Sequence, residues 1–515
     1  MTDINKMTLR EKICQTVIIN DPDELIKKYG GYEKFFEKYP VGGIYLGGSI
    51  VGGYMPGTGE TFKIQEKWNE VLKIPPIYCG DFEGGSDGIH EMALGAANDE
   101  ELVYRSARED ARLFANAGRQ WIFGPVADLA MSIFAPINIR SLGDDPEKVS
   151  KLLCRMVEGM GAQKVAATAK HFPGFGKEAV DTHLTRLSIG LSKEEWDKTY
   201  RKIYKSMIEH GLMAVMTAHA SLPCYQKECN KYGETPIATV SKELISDLLK
   251  DDLGFEGVVV TDGLIMGGAG GNNVELAIDA FCAGHDMLLW PDLEYVDVLE
   301  EKIKSGEIPM ERLDDAVRRI LRLKEFVGAE RKRAADNHEP YAKTSEIAEK
   351  SATLLNNRKN VIPLNPEKIK KVLLIYVAKD ETSYKKLTYL EEVFKKRGIE
   401  VTTQRDTWIP RFEKPEKEAD LTVFACFEGP SVTPGPITLN GENGASVWTS
   451  QTADKEKTVV VSFGSPFLYN QYYRHYPTYM NFYSDSKPSC EAFVKALFGE
   501  IECTGKSPVN LDKAF

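Results

Sequence analysis

Eight short apolar runs, separated by amphipathic stretches over roughly the first 300 residues, limit the architectures open to this chain. They are CQTVII (14–19), GGIYLG (42–47), PIYCGD (76–81), QWIFGP (120–125), ATAKHF (167–172), AVMTAHA (214–220), VVVTDG (258–263) and MLLWP (287–291). Most are rich in Val, Ile or aromatic residues and too short for helices. Between them ELVYRSAREDARLFANAG, PEKVSKLLCRMVEGMGAQ, SKEEWDKTYRKIYKSMIEHG and SKELISDLLKDDLG carry apolar residues at helical spacing. The last two open on Ser, a helix N-cap, with acidic residues in the first turn. Strands alternating with helices in this way predict an α/β fold, a (β/α)8 TIM-type barrel. An open doubly wound sheet is the competing architecture.

The pattern closes with the helix RLDDAVRRILRLKEFVG, and the charged stretch AERKRAADNHEPYAK after it reads as an exposed linker. Further apolar runs at 371–378, 421–427, 458–464 and 478–484, with the helical SYKKLTYLEEVFKKRG between the first two, predict a smaller α/β sandwich. The expected division is a barrel over 1–335, a linker over 336–349 and the sandwich over 350–515. A net charge of −11 with scattered charges argues against a nucleic-acid partner. The polar opening MTDINKMTLREK lacks a signal core, and the absence of an 18-residue apolar run argues against a membrane span. Nine cysteines without a CxxC pair read as reduced thiols, so a cytoplasmic location is expected.

In such a barrel, chemistry collects at the C-terminal ends of the strands. The third run ends in Asp81, the fifth carries Lys170 and His171, the sixth His219, and the seventh Asp262. The loop after the fourth holds Asp128 and Arg140; the loop after the fifth holds Asp181 and His183. Any one of these can be a structural ion pair. As a set on one rim they point to an active site, because burying a charge in an apolar strand is costly. No HxH ends the first strand and no HxxH or HxxxH occurs, so no metal is expected. The glycine-rich stretches MGGAGGNN and GGYMPGTGE are weak phosphate signals, since no GK[ST] follows either.

KHFPGFGKEAVDTH (170–183) resembles the KHFPGHG…D[ST]H signature of glycoside hydrolase family 3, in its β-N-acetylglucosaminidase branch. MTLREKICQ, GDFEGG, NIRSLGDDPEKV, GFEGVVVTDGLIMGG, AGHDMLLWP and DDAVRRILRLKE resemble further barrel motifs of that family. NVIPL, VVVSFGSPF and YSDSKPSCEAFVKALFGE resemble its second domain, so the likeness runs along essentially the whole chain. The resemblance implies that Asp262 is a catalytic nucleophile, His183 the acid/base and Asp181 its partner carboxylate. It implies that Asp81, Arg140, Lys170 and His171 bind sugar hydroxyls. Glu83, Asp128, His219 and Asp292 neighbour matched motifs and receive no role. The sequence departs from the pattern at Ser86 and Ile89, where that branch has arginines, and at Phe175, where it has a histidine.

Retaining hydrolysis needs a carboxylate to attack the anomeric carbon and an acid to protonate the leaving oxygen. A histidine serves the second role because it titrates near neutral pH. Lys170 is expected to keep Asp262 anionic. The leading expectation is an exo-acting β-N-acetylglucosaminidase without metal or organic cofactor. It would act on small glycosides such as cell-wall or chitin fragments, as a monomer or homodimer. The alternatives are a phosphorylase using the same dyad, a β-glucosidase, and a non-catalytic carbohydrate-binding protein.

Overall fold

The computed structural model describes residues 3–20, 22–47, 59–85, 88–230, 232–271, 273–329, 343–378, 381–405, 418–429 and 453–512. The chain divides into two compact units. The first comprises Met1–Ser86, Val103–Asp128 and Pro146–Pro340; the second comprises Asp87–Leu102, Leu129–Asp145 and Tyr341–Phe515.

The first unit carries β1 (Val17–Ile19), β2 (Gly43–Tyr45), β3 (Ile77–Asp81), β4 (Trp121–Phe123), β5 (Thr168–Phe172), β6 (Leu187–Ser188), β7 (Ala214–Thr217), β8 (Ala220–Ser221), β9 (Val258–Thr261) and β10 (Leu288–Leu289). Each of the eight apolar runs contains one strand. These strands are parallel and form a five-stranded sheet, β10-β1-β2-β3-β4, and a three-stranded sheet, β5-β7-β9. Isolated parallel bridges join Trp121 to Ala166 and Val260 to Met287. β6 and β8 form a separate short parallel pair.

Side-chain alternation sorts the strand residues into two layers. Ile18, Ile77, Cys79, Trp121, Phe123, Met216, Val260 and Met287, drawn from both sheets, pack in one buried cluster. Val17, Ile19, Ile44 and Tyr78 pack instead against Phe35, Trp68, Phe281, Leu299 and Val317 from the surrounding helices. Burial on both faces explains why these runs read as continuously apolar. The indole N–H of Trp121, fully enclosed, donates to Thr168 Oγ1 at 2.7 Å. The expected capping at Ser192 is present, with Glu195 closing a reciprocal capping box before the helix Lys193–Trp196.

The second unit holds β11 (Thr353–Asn357), β12 (Lys371–Ala378), β13 (Glu400–Arg405), β14 (Leu421–Phe427), β15 (Thr458–Ser462) and β16 (Thr478–Asn481). They form one sheet in the order β11-β16-β15-β14-β12-β13, parallel except for β11 against β16. β11 and β13 were not apparent as strands. Both are sheet edges, and β13 keeps most of its side chains in solvent, so it lacks an apolar run. The stretch SYKKLTYLEEVFKKRG forms parts of two helices, Glu381–Leu387 and Tyr389–Lys395, rather than one. The expected linker lies partly outside the described residues, and its described end belongs to the helix Lys343–Lys350, with Ile347 and Ala348 buried.

Two segments from early in the chain belong to this second unit. Ser484 Oγ donates to Gly88 O at 2.9 Å, Lys350 pairs with Asp99 at 2.6 Å, and the Asn510 N–H donates to Asp144 Oδ2 at 2.6 Å. A Cβ on Gly95 would lie 1.7 Å from the Leu142 carbonyl oxygen, so only glycine permits that approach. Among the described residues no helix is long and apolar enough to cross a membrane.

Candidate active site

The ionisable strand ends in the first unit form linked pairs. Asp81 closes β3. Its Oδ1 lies 2.7 Å from Lys170 Nζ on β5, and its Oδ2 accepts from the Tyr45 hydroxyl at 2.7 Å. Lys170, only 2% exposed, also lies 2.7 Å from Glu83 Oε1, whose side chain is equally buried. Two carboxylates therefore share one ammonium. Burial, with the Asp81 charge beside it, pushes the Tyr45 hydroxyl far up, so it stays a donor.

The β5–β7 register shifts between Lys170 and Phe172. A shift of this kind re-aims a side chain that strict alternation would send to the opposite face. His171, adjacent to Lys170, turns to Asp128. Its Nδ1 lies 2.7 Å from Asp128 Oδ2, and the His171 N–H donates to the same oxygen at 3.1 Å. The Phe175 N–H donates to Asp128 Oδ1 at 3.0 Å, and the Phe175 ring packs 5.5 Å from the imidazole. Fully buried Asp128 thus orients His171 through side chain and backbone together.

Asp262 follows β9. Its N–H donates to Thr217 O at 3.1 Å, and its Oδ1 accepts from the Gly263 N–H at 2.7 Å. Burial raises the Asp262 carboxyl, but the electrostatic pull of His171, His219 and His183, together with the Gly263 N–H, outweighs it. The net shift is downward. Lys170, expected to hold Asp262 anionic, instead directs its charge to Asp81 and Glu83.

His219, fully buried beyond β7, lies with Nε2 3.0 Å from Gly263 O and Nδ1 2.8 Å from Thr239 Oγ1. A carbonyl only accepts, so Nε2 carries the proton and the Thr239 hydroxyl donates to Nδ1. Burial lowers the affinity of this imidazole for a second proton, opposing the pull of Asp262. His219 therefore clamps the peptide beside Asp262.

On the loop after β5, His183 Nδ1 lies 2.7 Å from Asp181 Oδ1, and the His183 N–H donates to that oxygen at 2.9 Å. The His183 side chain is 38% exposed and that of Asp181 only 9%. The glycine-rich loop after β9 backs this turn. The Gly267 N–H donates to His183 O at 2.9 Å and the Gly268 N–H to Thr182 O at 3.0 Å. A Cβ on Gly268 would sit 2.5 Å from Thr182 O and 3.0 Å from His219 Cβ. These glycines let two backbones meet, which explains them without a phosphate.

Of the residues singled out from sequence, Asp81, Lys170, His171, Asp181, His183 and Asp262 are carried by the first unit. Arg140 ends the short turn Asn138–Arg140 of the second unit, where it is buried. Ile89 is buried in that unit too, and Ser86 and most of GGYMPGTGE lie outside the described residues. Asp292 accepts from the Glu294 N–H at 2.9 Å, a helix-start contact. Sequence reasoning left Glu83, Asp128 and His219 without roles and passed over Tyr45 and Trp290. Trp290, with φ +61°, places its ring 5.2 Å from that of Tyr45 and against Gly263. Tyr45 and Trp290 end strands as aromatic residues, which a search for charged strand ends does not catch.

The profile described as "Glycosyl hydrolase family 3 N terminal domain" matches residues 8–323. The chain belongs to glycosyl hydrolase family 3. The Cellulomonas fimi "Beta-N-acetylglucosaminidase/beta-glucosidase" is 33% identical over 328 residues, covering 58% of this chain and 58% of that protein. The chain thus spans less than three fifths of the length of that curated relative. A family 3 β-N-acetylglucosaminidase from Paenibacillus sp. superposes with a TM-score of 0.81 at 26% identity, covering 98% of this chain and 99% of that one. The fold is shared equally with a β-glucoside phosphorylase bound to 2FGlc, with a TM-score of 0.85 at 24% identity, covering 99% of this chain and 96% of that one.

Proposed function

We propose that this family 3 protein is a retaining exo-glycosidase that removes terminal β-linked N-acetylglucosamine through a glycosyl-enzyme on Asp262. The observation that carries the reading is the His183–Asp181 pair, held at 2.7 Å on a turn bonded to the loop that follows Asp262. With Nδ1 facing Asp181, the proton transfer is assigned to the Nε2 atom of His183. In the first step Asp262 attacks the anomeric carbon while His183 gives its Nε2 proton to the leaving oxygen. In the second step the neutral imidazole takes a proton from water as the water displaces Asp262. Asp181 stabilises the imidazolium between turnovers and fixes the tautomer. The depressed Asp262 carboxyl suits a group that must be anionic to attack. Asp81 and Lys170 offer an acceptor and a donor to neighbouring sugar hydroxyls.

The eight parallel strands close into one (β/α)8 barrel in this reading. The bridges Trp121–Ala166 and Val260–Met287, and one core shared by both sheets, support it. All nine cysteines are free thiols, which supports a cytoplasmic setting, checked by cell fractionation.

A second reading is phosphorolysis. The imidazole acid/base, unlike a carboxylate, does not repel an incoming phosphate. Aryl β-N-acetylglucosaminide and aryl β-glucoside are incubated with and without phosphate, and a 2-fluoro glycoside is used to trap the intermediate. Free sugar as product, preference for the N-acetyl substrate and the adduct on Asp262 are expected. Sugar 1-phosphate as the main product would replace hydrolysis with the second reading, and a trapped adduct on another side chain would overturn the nucleophile assignment.

A further inference from the structure

Five large apolar side chains stand in solvent among the described residues: Phe134, Leu184, Tyr232, Ile265 and Met310. Two of the five lie on loops that meet at the proposed acid/base, and a third lies on a loop tied to one of them. Leu184, 58% exposed, follows His183 directly, and Ile265, also 58% exposed, comes three residues after Asp262. Their loops are joined by the bond from the Gly267 N–H to His183 O. Tyr232, 76% exposed, lies on a third loop, linked to the first by the Arg186–Glu234 ion pair at 3.5 Å.

Solitary exposed apolar residues are common and need no explanation, but a group of them around a reaction centre is a binding feature. The position of this group fixes which half of the substrate it meets. The glycone hydroxyls require polar partners, and Asp81, Lys170 and His171 supply those from strand ends. The imidazole of the acid/base must touch the leaving-group oxygen. Consecutive Cα atoms are about 3.8 Å apart, so the side chain after His183 borders whatever carries that oxygen. The turn at 181–185, closed by the Leu184 and Thr185 N–H groups on Asp181 O, fixes the backbone that carries both His183 and Leu184.

Resting on the glycosidase reading above, we infer that Leu184, Ile265 and Tyr232 form an apolar leaving-group subsite, so the preferred substrates are β-glycosides whose aglycone is a hydrophobic group. The subsite selects by covering apolar surface and adds no step to the chemistry. A second sugar as aglycone, bearing hydroxyls on all sides, gains less from it.

The test compares methyl and octyl β-glycosides of one glycone, whose leaving groups are alike in acidity, together with the corresponding β-linked disaccharide. In the full-length protein, kcat/KM for the octyl glycoside should exceed that for the methyl glycoside by about tenfold or more, given the apolar area two or three side chains can cover. Leu184→Ser, Ile265→Ser and Tyr232→Ser should each reduce that ratio, and the triple variant should bring it close to one. Met310→Ser, exposed at a helix start, should leave it unchanged. A ratio near one in the unaltered protein, a ratio the three substitutions do not move, or a disaccharide preferred over the octyl glycoside would each overturn the inference. Failure of the glycosidase reading looks different: no turnover of any β-glycoside, or turnover that survives Asp262→Ala.

Discussion

The proposed mechanism, with an imidazole as acid/base, assigns the covalent step to one carboxylate, Asp262, and three imidazoles act on that carboxylate electrostatically. Burial alone would raise Asp262; His171 acts first among the groups that reverse the shift. His171 is in turn held by Asp128 through Nδ1 and the backbone. Replacing His171 with Gln keeps a polar side chain of similar reach but removes the imidazole that lowers the Asp262 carboxyl. Burial then weighs more heavily, the Asp262 carboxyl rises, and the acidic limb of the kcat/KM profile moves to higher pH. The rate at the optimum should also fall by about tenfold to a hundredfold, from the lost imidazole bond to substrate. A pH–rate profile checks both, and an acidic limb that stays in place or moves to lower pH would rule out the electrostatic role. At this scale the sequence was informative about charged strand ends and less so about their partners. The expectation that Lys170 serves Asp262 does not include its contacts with Asp81 and Glu83, because nothing in a one-dimensional string tells which strands face each other. Asp128 and His219 lay in view but act by holding other groups, and residue type alone does not reveal that.

The elements position these groups by irregularity as much as by regularity. The eight strands and the Ser192 capping box were legible because burial on both faces and helix capping leave composition signals. The register shift in β5 left none, yet neighbouring Lys170 and His171 reach different carboxylates there. The glycine-rich loop after β9 was visible but ambiguous between a ligand cradle and a closing loop. Its observed task is to let backbone meet backbone behind His183. Gly268→Ala tests this. The added methyl would meet Thr182 O at 2.5 Å and His219 Cβ at 3.0 Å, so the turn bearing His183 has to shift outward. A misplacement near 1 Å costs on the order of 100-fold in rate, so kcat should fall by about that factor while substrate binding changes little. The variant should still melt cooperatively, since the clash lies at a loop rather than in the strand core. Unchanged kcat in a folded variant would mean that the loop does not set the position of the acid/base.

At the scale of the whole molecule, the expected single cut near residue 335 does not separate the two units. Residues 87–102 and 129–145 leave the first unit and fold with the second. Composition cannot reveal this, because both segments sit among barrel motifs and NIRSLGDDP reads as part of that series. The consequence is energetic. Met92, Leu94, Ile133, Ile137, Ile139 and Leu142 are all buried, and they lie in the two segments that belong to the second unit. Ile139 lies against Gly429, and His90 stacks 6.4 Å from Phe427. A chain ending at residue 335 retains these six side chains but loses the strands and helices they pack with. At about 1.5–3 kcal/mol each, the lost burial is on the order of 10 kcal/mol. Domain stabilities are about 5–15 kcal/mol in total, so the fragment has little or no margin left. Expressed alone, residues 1–335 should aggregate or melt without a cooperative transition, and should show no glycosidase activity. Co-expression with 343–515 as a separate chain should restore solubility, because the partner surface for the two segments then exists. A soluble, cooperatively melting and active 1–335 fragment would show that the segments fold with the first unit after all.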